Sequence, residues 1–362
     1  MKQTELQSTE QKLIAIINQL MLIVVVLLVS IISIVILFSQ PPTEKNKQNA
    51  SLSDTGSTLE SKEKFWRPVD ITLATSEEKK AQLAYGKELI AHTSKYLGPQ
   101  GTVMPISNGM NCQNCHLEAG TKIFGNNYGS VASIYPKFRA RSGTVENIFK
   151  RVNDCIERSL NGKALDTGSK EMLAIAQYIT YIGGNVEKGQ KAKGSGLKDL
   201  TYLSRAADAQ KGKTVYVAKC QSCHQPDGGG LLMADKSEYS YPPLWGNHSY
   251  NDGAGLYRLS NFAKYVKYNM PQGVVHDSPQ LTDEEAWDVA AFVNSQPRPH
   301  LEVPKDWPDI AKKPVDHPFG PFADSFSALQ HKYGPFQPIV DAQKKKEAAK
   351  KSSNAAATVK SK

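Results

Sequence analysis

A chain of 362 residues with 40% hydrophobic and 22% charged side chains is too long for one small module and carries enough apolar residues for about two ordinary domains plus tails. The formal net charge is +9, yet residues 341–362 alone hold seven Lys against Asp341 and Glu347; no aromatics interleave with them, which argues against a nucleic-acid surface. Five cysteines are too few for a disulfide scaffold, and their spacing (Cys112 with Cys115, Cys220 with Cys223, Cys155 alone) points instead to site chemistry.

No charged residue occurs between Leu13 and Thr43, and residues 13–38 are almost continuously apolar. At ~1.5 Å per residue such a run reaches across a ~30 Å hydrocarbon core. It exceeds the ~7–15-residue apolar region of a cleaved signal, and Ser39-Gln40-Pro41-Pro42 offers no A-x-A-like site. A single N-terminal transmembrane helix is therefore expected, with Lys2 and Lys12 favouring an inside N-terminus. Residues 39–64, rich in Ser, Thr, Asn and Lys without periodicity, read as a flexible tether.

Two similar blocks follow, at 65–190 and 191–300, each running helix, Cys-x-x-Cys-His, Gly-rich loop, closing helix. In the first, Thr75-x-x-Glu78 reads as a capping box opening a helix to about Tyr96, and residues 171–182 close the block before Gly183-Gly184. In the second, a helix at 207–218 leads into the motif, and Thr282-x-x-Glu285 caps a helix ending by Ser295, ahead of Pro297. Strand alternation is scarcely visible, so the expected fold is all-α, an internal duplication of a small helical module. Prolines from Pro304 to Pro335 interrupt regular helix, and interleaved aromatics such as Trp307 and Phe336 predict an extension at 301–340 wrapped onto the domains. Residues 341–362 read as a disordered basic tail.

Cys112-Gln113-Asn114-Cys115-His116 and Cys220-Gln221-Ser222-Cys223-His224 are c-type haem attachment motifs. Two thiols three residues apart take up both vinyl groups of one haem, and the next residue offers an imidazole to the iron. Two covalently bound haems are expected. Attachment of this kind occurs on the exported side, which predicts a periplasmic location at the bacterial inner membrane and orients the anchor. In the second half Asn269-Met270-Pro271 follows His224 by 46 residues, the arrangement in which a class I cytochrome c supplies a thioether; Met270 is the candidate sixth ligand, with Met233 and Lys267 next. The first half has no such Met-Pro, and Met172 reads as core. Cys155 lies 39 residues after His116 instead. A lone cysteine is commonly a buried small hydrophobe, but Arg139, Arg141, Arg151 and Arg158 lie close by in sequence, and such cations stabilise thiolate, the form that is both nucleophile and metal ligand.

Taken together, Tyr135-Pro136-Lys137-Phe138-Arg139-Ala140-Arg141, Cys155-x-x-Arg158-Ser159-x-Asn161-Gly162, Pro242-Pro243-Leu244-Trp245-Gly246 and Asn269-Met270-Pro271, with both attachment motifs, resemble the thiosulfate dehydrogenase / tetrathionate reductase family of dihaem cytochromes c. The resemblance covers roughly residues 66–339. It implies two class I cytochrome c-like domains, with His116 and Cys155 on an active-site haem and His224 and Met270 on a relay haem. It also implies the reaction 2 S₂O₃²⁻ ⇌ S₄O₆²⁻ + 2 e⁻ and a redox partner, either a soluble cytochrome c or a membrane quinone-linked complex. Bringing two dianions to ~4 Å costs roughly 16 kcal/mol at an effective dielectric of ~20, so fixed cations are needed. Arg139, Arg141, Arg151 and Arg158 are the candidates, with Ser159 and Asn161 as hydrogen-bond partners and Cys155 as the residue bonding covalently to a thiosulfate sulfur. Asn269 stands where some relatives carry a Lys that competes for the iron, which favours a permanent Met/His pair. Without sulfur chemistry the same motifs would describe a dihaem electron-transfer cytochrome, or a sulfur-anion carrier that needs a partner enzyme.

Overall fold

The computed structural model describes residues 16–30 and 65–360. Residues 16–30 form helix α1, whose apolar side chains, Ile16 to Val29, are exposed. Among the described residues no helix is long and apolar enough to cross a membrane. The remainder of the expected anchor at 13–38, and all of the expected tether at 39–64, lie outside the described residues. A separate compact unit spans Lys62–Lys362.

Within that unit two helical layers repeat. In the first half, α2 (Glu77–Ala91) is capped by Ser76, whose hydroxyl accepts from the Lys79 amide at 3.1 Å, with Glu77 and Glu78 at the positive end of the helix dipole. The cap is thus one residue later than Thr75, and the helix stops at Ala91 rather than near Tyr96, because His92 leaves helical geometry and a second short helix, Thr93–Leu97, takes over. Helix α3 (Ile148–Arg158) follows, capped by Asn147, and α4 (Lys170–Ile182) closes the half, capped by Ser169. In the second half, α5 (Ala209–Lys219) precedes the motif, α6 (Leu259–Asn269) leads to Met270, and α7 (Asp283–Ser295) carries the Thr282/Glu285 capping box with both reciprocal bonds present.

The two halves are built on the same helix crossing. A Cβ at Gly86 of α2 would lie 2.2 Å from the Ala174 carbonyl oxygen of α4, and one at Gly212 of α5 would lie 1.8 Å from that of Asp288 on α7. Only glycine lets backbones approach so closely. Leu83, Leu89, Met172 and Tyr178 pack the first core; Tyr216, Phe262 and Trp287 pack the second.

Among the described residues, three two-stranded antiparallel ribbons complete a fold that is helix-rich rather than purely helical: β1 (Gly125–Asn127) with β4 (Gly196–Leu197), β2 (Lys137–Arg139) with β3 (Thr144–Glu146), and β5 (Leu231–Leu232) with β6 (Tyr239–Tyr241). Strands of two or three residues are too short to leave an alternation pattern in sequence. The extension buries Phe336 and Ile339 in the second core. The basic tail, expected to lack regular structure, continues from that anchor as helix α8 (Gln337–Lys360), consistent with the high helix propensity of its Ala, Lys and Glu residues.

The halves are joined by polar contacts. Glu238, buried beside β6, accepts from Asn111 Nδ2 at 2.8 Å and meets His92 Nδ1 at 3.0 Å. The Tyr265 hydroxyl of α6 donates to the Asn114 carbonyl, inside the first attachment motif, at 2.6 Å.

Candidate active site

Both attachment motifs present their imidazoles the same way. His116 Nδ1 lies 2.6 Å from the Asn126 carbonyl and His224 Nδ1 lies 2.8 Å from that of Pro242. A carbonyl only accepts, so each Nδ1 donates, which leaves Nε2 as the nitrogen that would meet a metal. Burial pushes the Cys112 and Cys115 thiols up to about 11 and about 12, and that of Cys220 to about 11. All five cysteines are free.

A cavity of about 660 Å³ is lined by Cys220, Cys223, His224, Met233 and Met270 and reaches Cys115 of the first motif. Its size falls in the range of small-molecule and cofactor sites, roughly 300–1,000 Å³. Two thiols, an imidazole with a free lone pair and thioethers on one largely apolar cavity fit a c-type haem. Lys267 does not contribute: its ammonium group donates to the Leu281 carbonyl at 2.6 Å and pairs with Asp283 at 2.7 Å. Asn269 donates through Nδ2 to the Phe124 and Tyr265 carbonyls at 3.1 and 3.2 Å.

The first half sets a different stage. Cys155 and Arg151 lie four residues apart on α3 and so share a face. Burial opposes ionisation of Cys155, but the Arg151 charge, a hydrogen bond with His116, and the charges of His116 and Arg141 outweigh it and bring the thiol down to about 6. Arg151 is held charged chiefly by Cys155, and among the described residues no carboxylate lies within ion-pair distance of it. Arg141 is bonded to buried Asp154 at 2.7 Å, and Asp154 also takes Lys150. Arg139 on β2 stands 3.9 Å from Glu146 on β3, a buried carboxylate with no hydrogen-bond donor on either oxygen among the described residues.

The remaining site candidates divide. Ser159 caps α3, its amide donating to the Cys155 carbonyl at 2.8 Å, and its hydroxyl has no partner among the described residues. Arg158 bridges to the other half and the extension, donating to Asp306 at 2.9 Å and to the Gly253 carbonyl at 3.3 Å. Asn161, at φ 42°, accepts from Asn251 at 2.9 Å. The structure therefore brings Cys112, Cys115, His116, Cys155 and Arg151 into one neighbourhood with Arg141; Arg139 is linked to it through Glu146, which interacts electrostatically with Arg151, while Arg158 and Asn161 hold the halves together. Sequence reading missed Asp154, Glu146 and Asp306. The i,i+4 pairing of Lys150 with Asp154 is a readable signal; Asp306, 148 positions from Arg158, leaves none.

Residues 103–185 match the family model described as SoxA/TsdA, cytochrome c domain, and residues 209–297 match Cytochrome c. The thiosulfate dehydrogenase of Allochromatium vinosum is 37% identical over 223 residues, covering 60% of this chain and 81% of that protein. The chain belongs to the thiosulfate dehydrogenase family. A second member, from Psychrobacter arcticus, is 34% identical over 241 residues, covering 66% of this chain and 71% of that protein. The solved structure of thiosulfate dehydrogenase (TsdBA) from Marichromatium purpuratum, in its as-isolated form, aligns with a TM-score of 0.59 at 28% identity, covering 65% of this chain; the chain spans half (50%) of that longer one. The protein is thus an oxidoreductase of this family with c-type cytochrome domains. The first matched segment carries Cys112 to Asn161 and the second Cys220 to Met270; the extension and α8 lie beyond both.

Proposed function

We propose that this protein interconverts thiosulfate and tetrathionate, 2 S₂O₃²⁻ ⇌ S₄O₆²⁻ + 2 e⁻, using two covalently attached haems. His116 and Cys155 would hold the first iron, His224 and Met270 the second. When bound, the haems supply one-electron carriers between the sulfur chemistry and an external partner, a soluble cytochrome c or a quinone-linked complex. On this reading the globular unit lies on the periplasmic side of the inner membrane, with residues 13–38 as its anchor.

The observation that carries the proposal is the placement of Cys155, on the same face of α3 as Arg151 and facing His116 of the first attachment motif. In the reductive direction Cys155 would give up its place as an iron ligand, and its thiolate attacks one central sulfur of tetrathionate. The central S–S bond breaks, thiosulfate leaves with the bonding pair, and Cys155 carries an S–S–SO₃⁻ adduct. Two electrons then cleave that new S–S bond, releasing the second thiosulfate and restoring the thiolate. The oxidative direction is the reverse. Because one half of the product stays bonded to Cys155, two free dianions never need to share the site. Arg151, with Arg141 and Arg139, offsets the charge of the anion that enters, and the Ser159 hydroxyl is available to a sulfonate oxygen.

The test is anaerobic: reduce the holoprotein chemically, add tetrathionate and follow reoxidation of the haem bands beside a Cys155→Gly variant. Fast reoxidation in the unaltered protein and its loss in the variant support the assignment. No reoxidation in either, with both haems intact, leaves an electron-transfer cytochrome and sinks the proposal.

A further inference from the structure

Met270 follows the last residue of α6, and residues 270–275 line the cavity together with Cys220, Cys223 and His224. The first half holds this loop in place. Lys122, which lines the same cavity, donates through Nζ to the Val274 carbonyl at 3.0 Å. The Phe124 carbonyl accepts from Asn269 Nδ2, one residue before Met270, at 3.1 Å. The Phe124 ring meets that of His276 edge-on with centroids 4.9 Å apart, and Phe65 closes on the two rings at 5.6 and 5.2 Å. Lys198, just past β4, donates to the His276 carbonyl at 3.2 Å. Among the described residues, the loop's own backbone bonds run from the Val274 amide to the Pro271 carbonyl and from the Ser278 amide to the Val275 carbonyl, both 3.1 Å. A loop with so few bonds of its own depends on what it is docked against.

The docking stretch also serves the first attachment motif. The Asn126 carbonyl, two residues past Phe124, is the acceptor for His116 Nδ1 at 2.6 Å. Phe124 and Asn126 both take left-handed backbone, at φ 55° and 58°, a region that a bulky side chain enters only where its surroundings over-determine it. The Phe124 amide, which donates to the Gly194 carbonyl at 2.8 Å, supplies part of that constraint, and the ring contacts supply more. Residues 122–126 therefore grip His116 at one end and the Met270 loop at the other.

We infer that Lys122 and Phe124 are positioning residues for Met270, so that the first half holds the loop presenting the thioether to the second iron. The inference rests on the His224/Met270 reading above. A loop cut loose from the first half opens more often, and a competing ligand then binds in proportion to the open fraction. Thioether ligation raises the potential of a haem, so its loss lowers that of the second haem.

The experiment titrates the oxidised full-length holoprotein with imidazole, unaltered and as Lys122→Leu, Lys122→Arg and Phe124→Gly, and follows the thioether-to-iron charge-transfer band. Covalent haem is counted by pyridine haemochrome, and both potentials are read by spectroelectrochemistry. Lys122→Leu should lose the band at roughly tenfold lower imidazole, the effect of one hydrogen bond from a charged donor, and one haem alone should shift to lower potential. Lys122→Arg should recover both readings. Phe124→Gly keeps the left-handed backbone accessible and removes only the ring; it should shift in the same direction, and it decides the matter if Lys122→Leu does not fold. Unshifted titrations and potentials at full haem content overturn the inference, as does an equal shift of both haems, which would mark a general loosening of the fold. An unaltered protein with two haems and no thioether band would sink the Met270 reading itself, and the inference with it.

Discussion

Cysteines of one neighbourhood ionise in opposite directions here. Burial raises Cys112 to about 11 and Cys115 to about 12, whereas Cys155, also desolvated, falls to about 6 because Arg151 and His116 face it. The sign follows: a lowered acid is ionised above its folded value, so the proposed nucleophile is present as thiolate at pH 7 and is lost as pH falls through about 6. For tetrathionate reduction kcat/KM should therefore drop about tenfold per pH unit below that point. Arg151→Gln should move this acid limb to higher pH and lower kcat/KM at pH 7 by roughly 10²-fold, a magnitude typical of one electrostatic donor. A pH–rate profile with an unmoved limb would remove Arg151 from the site. Glu146 acts in the other direction. Its buried carboxylate has no hydrogen bond among the described residues and stands 3.9 Å from Arg139, so Glu146→Gln should leave the site more positive. Thiosulfate KM should fall several-fold with the melting temperature unchanged or raised; a higher KM would show instead that Glu146 positions Arg139 for the anion.

At the scale of elements, the decisive contacts are two glycines. Gly86 and Gly212 each sit where a Cβ would collide with a backbone carbonyl of the opposing helix, at 2.2 and 1.8 Å. Backbone cannot rotate aside as a side chain can, so Gly86→Ala and Gly212→Ala should each destabilise by about 1–3 kcal/mol or more. Gly255, with nothing within 4 Å of its Cβ position, serves as the neutral control; thermal melting of the three variants is the check. The helices themselves were legible because their ends carry chemistry: Thr282 with Glu285 makes the capping box that the spacing announces. Ser76 rather than Thr75 caps α2 because adjacent hydroxyls give the same local signal, and only the fold selects one. The ribbons were illegible, since a strand of two or three residues has no period. Nor could sequence show what the two glycines oppose, because the partner carbonyls lie 76 or more positions away.

Across the whole molecule, four arginines that look equivalent in sequence perform two kinds of work. Arg151 lies beside Cys155 with no carboxylate at ion-pair distance among the described residues, whereas Arg158, only one helix turn past Cys155, reaches out to Asp306 of the extension and to the Gly253 carbonyl of the second half. The choice is made by Asp306, which brings a carboxylate to a mostly buried guanidinium (12% exposed). Asn161 adds to the same seam by accepting from Asn251. Thus the Cys-x-x-Arg-Ser-x-Asn-Gly element combines the proposed nucleophile with residues that join the halves, and motif matching cannot separate the two. Arg158→Gln should cost about 1–3 kcal/mol, below the full value for a wholly buried pair because both side chains keep some solvent contact. It should also speed proteolysis of the extension while leaving the acid limb of the pH–rate profile near 6. A double-mutant cycle with Asp306→Asn tests whether this is one interaction: each single change should destabilise, and the pair together should cost clearly less than their sum. Strict additivity, or an acid limb that moves in Arg158→Gln as it does in Arg151→Gln, would place Arg158 with the substrate-facing cations instead.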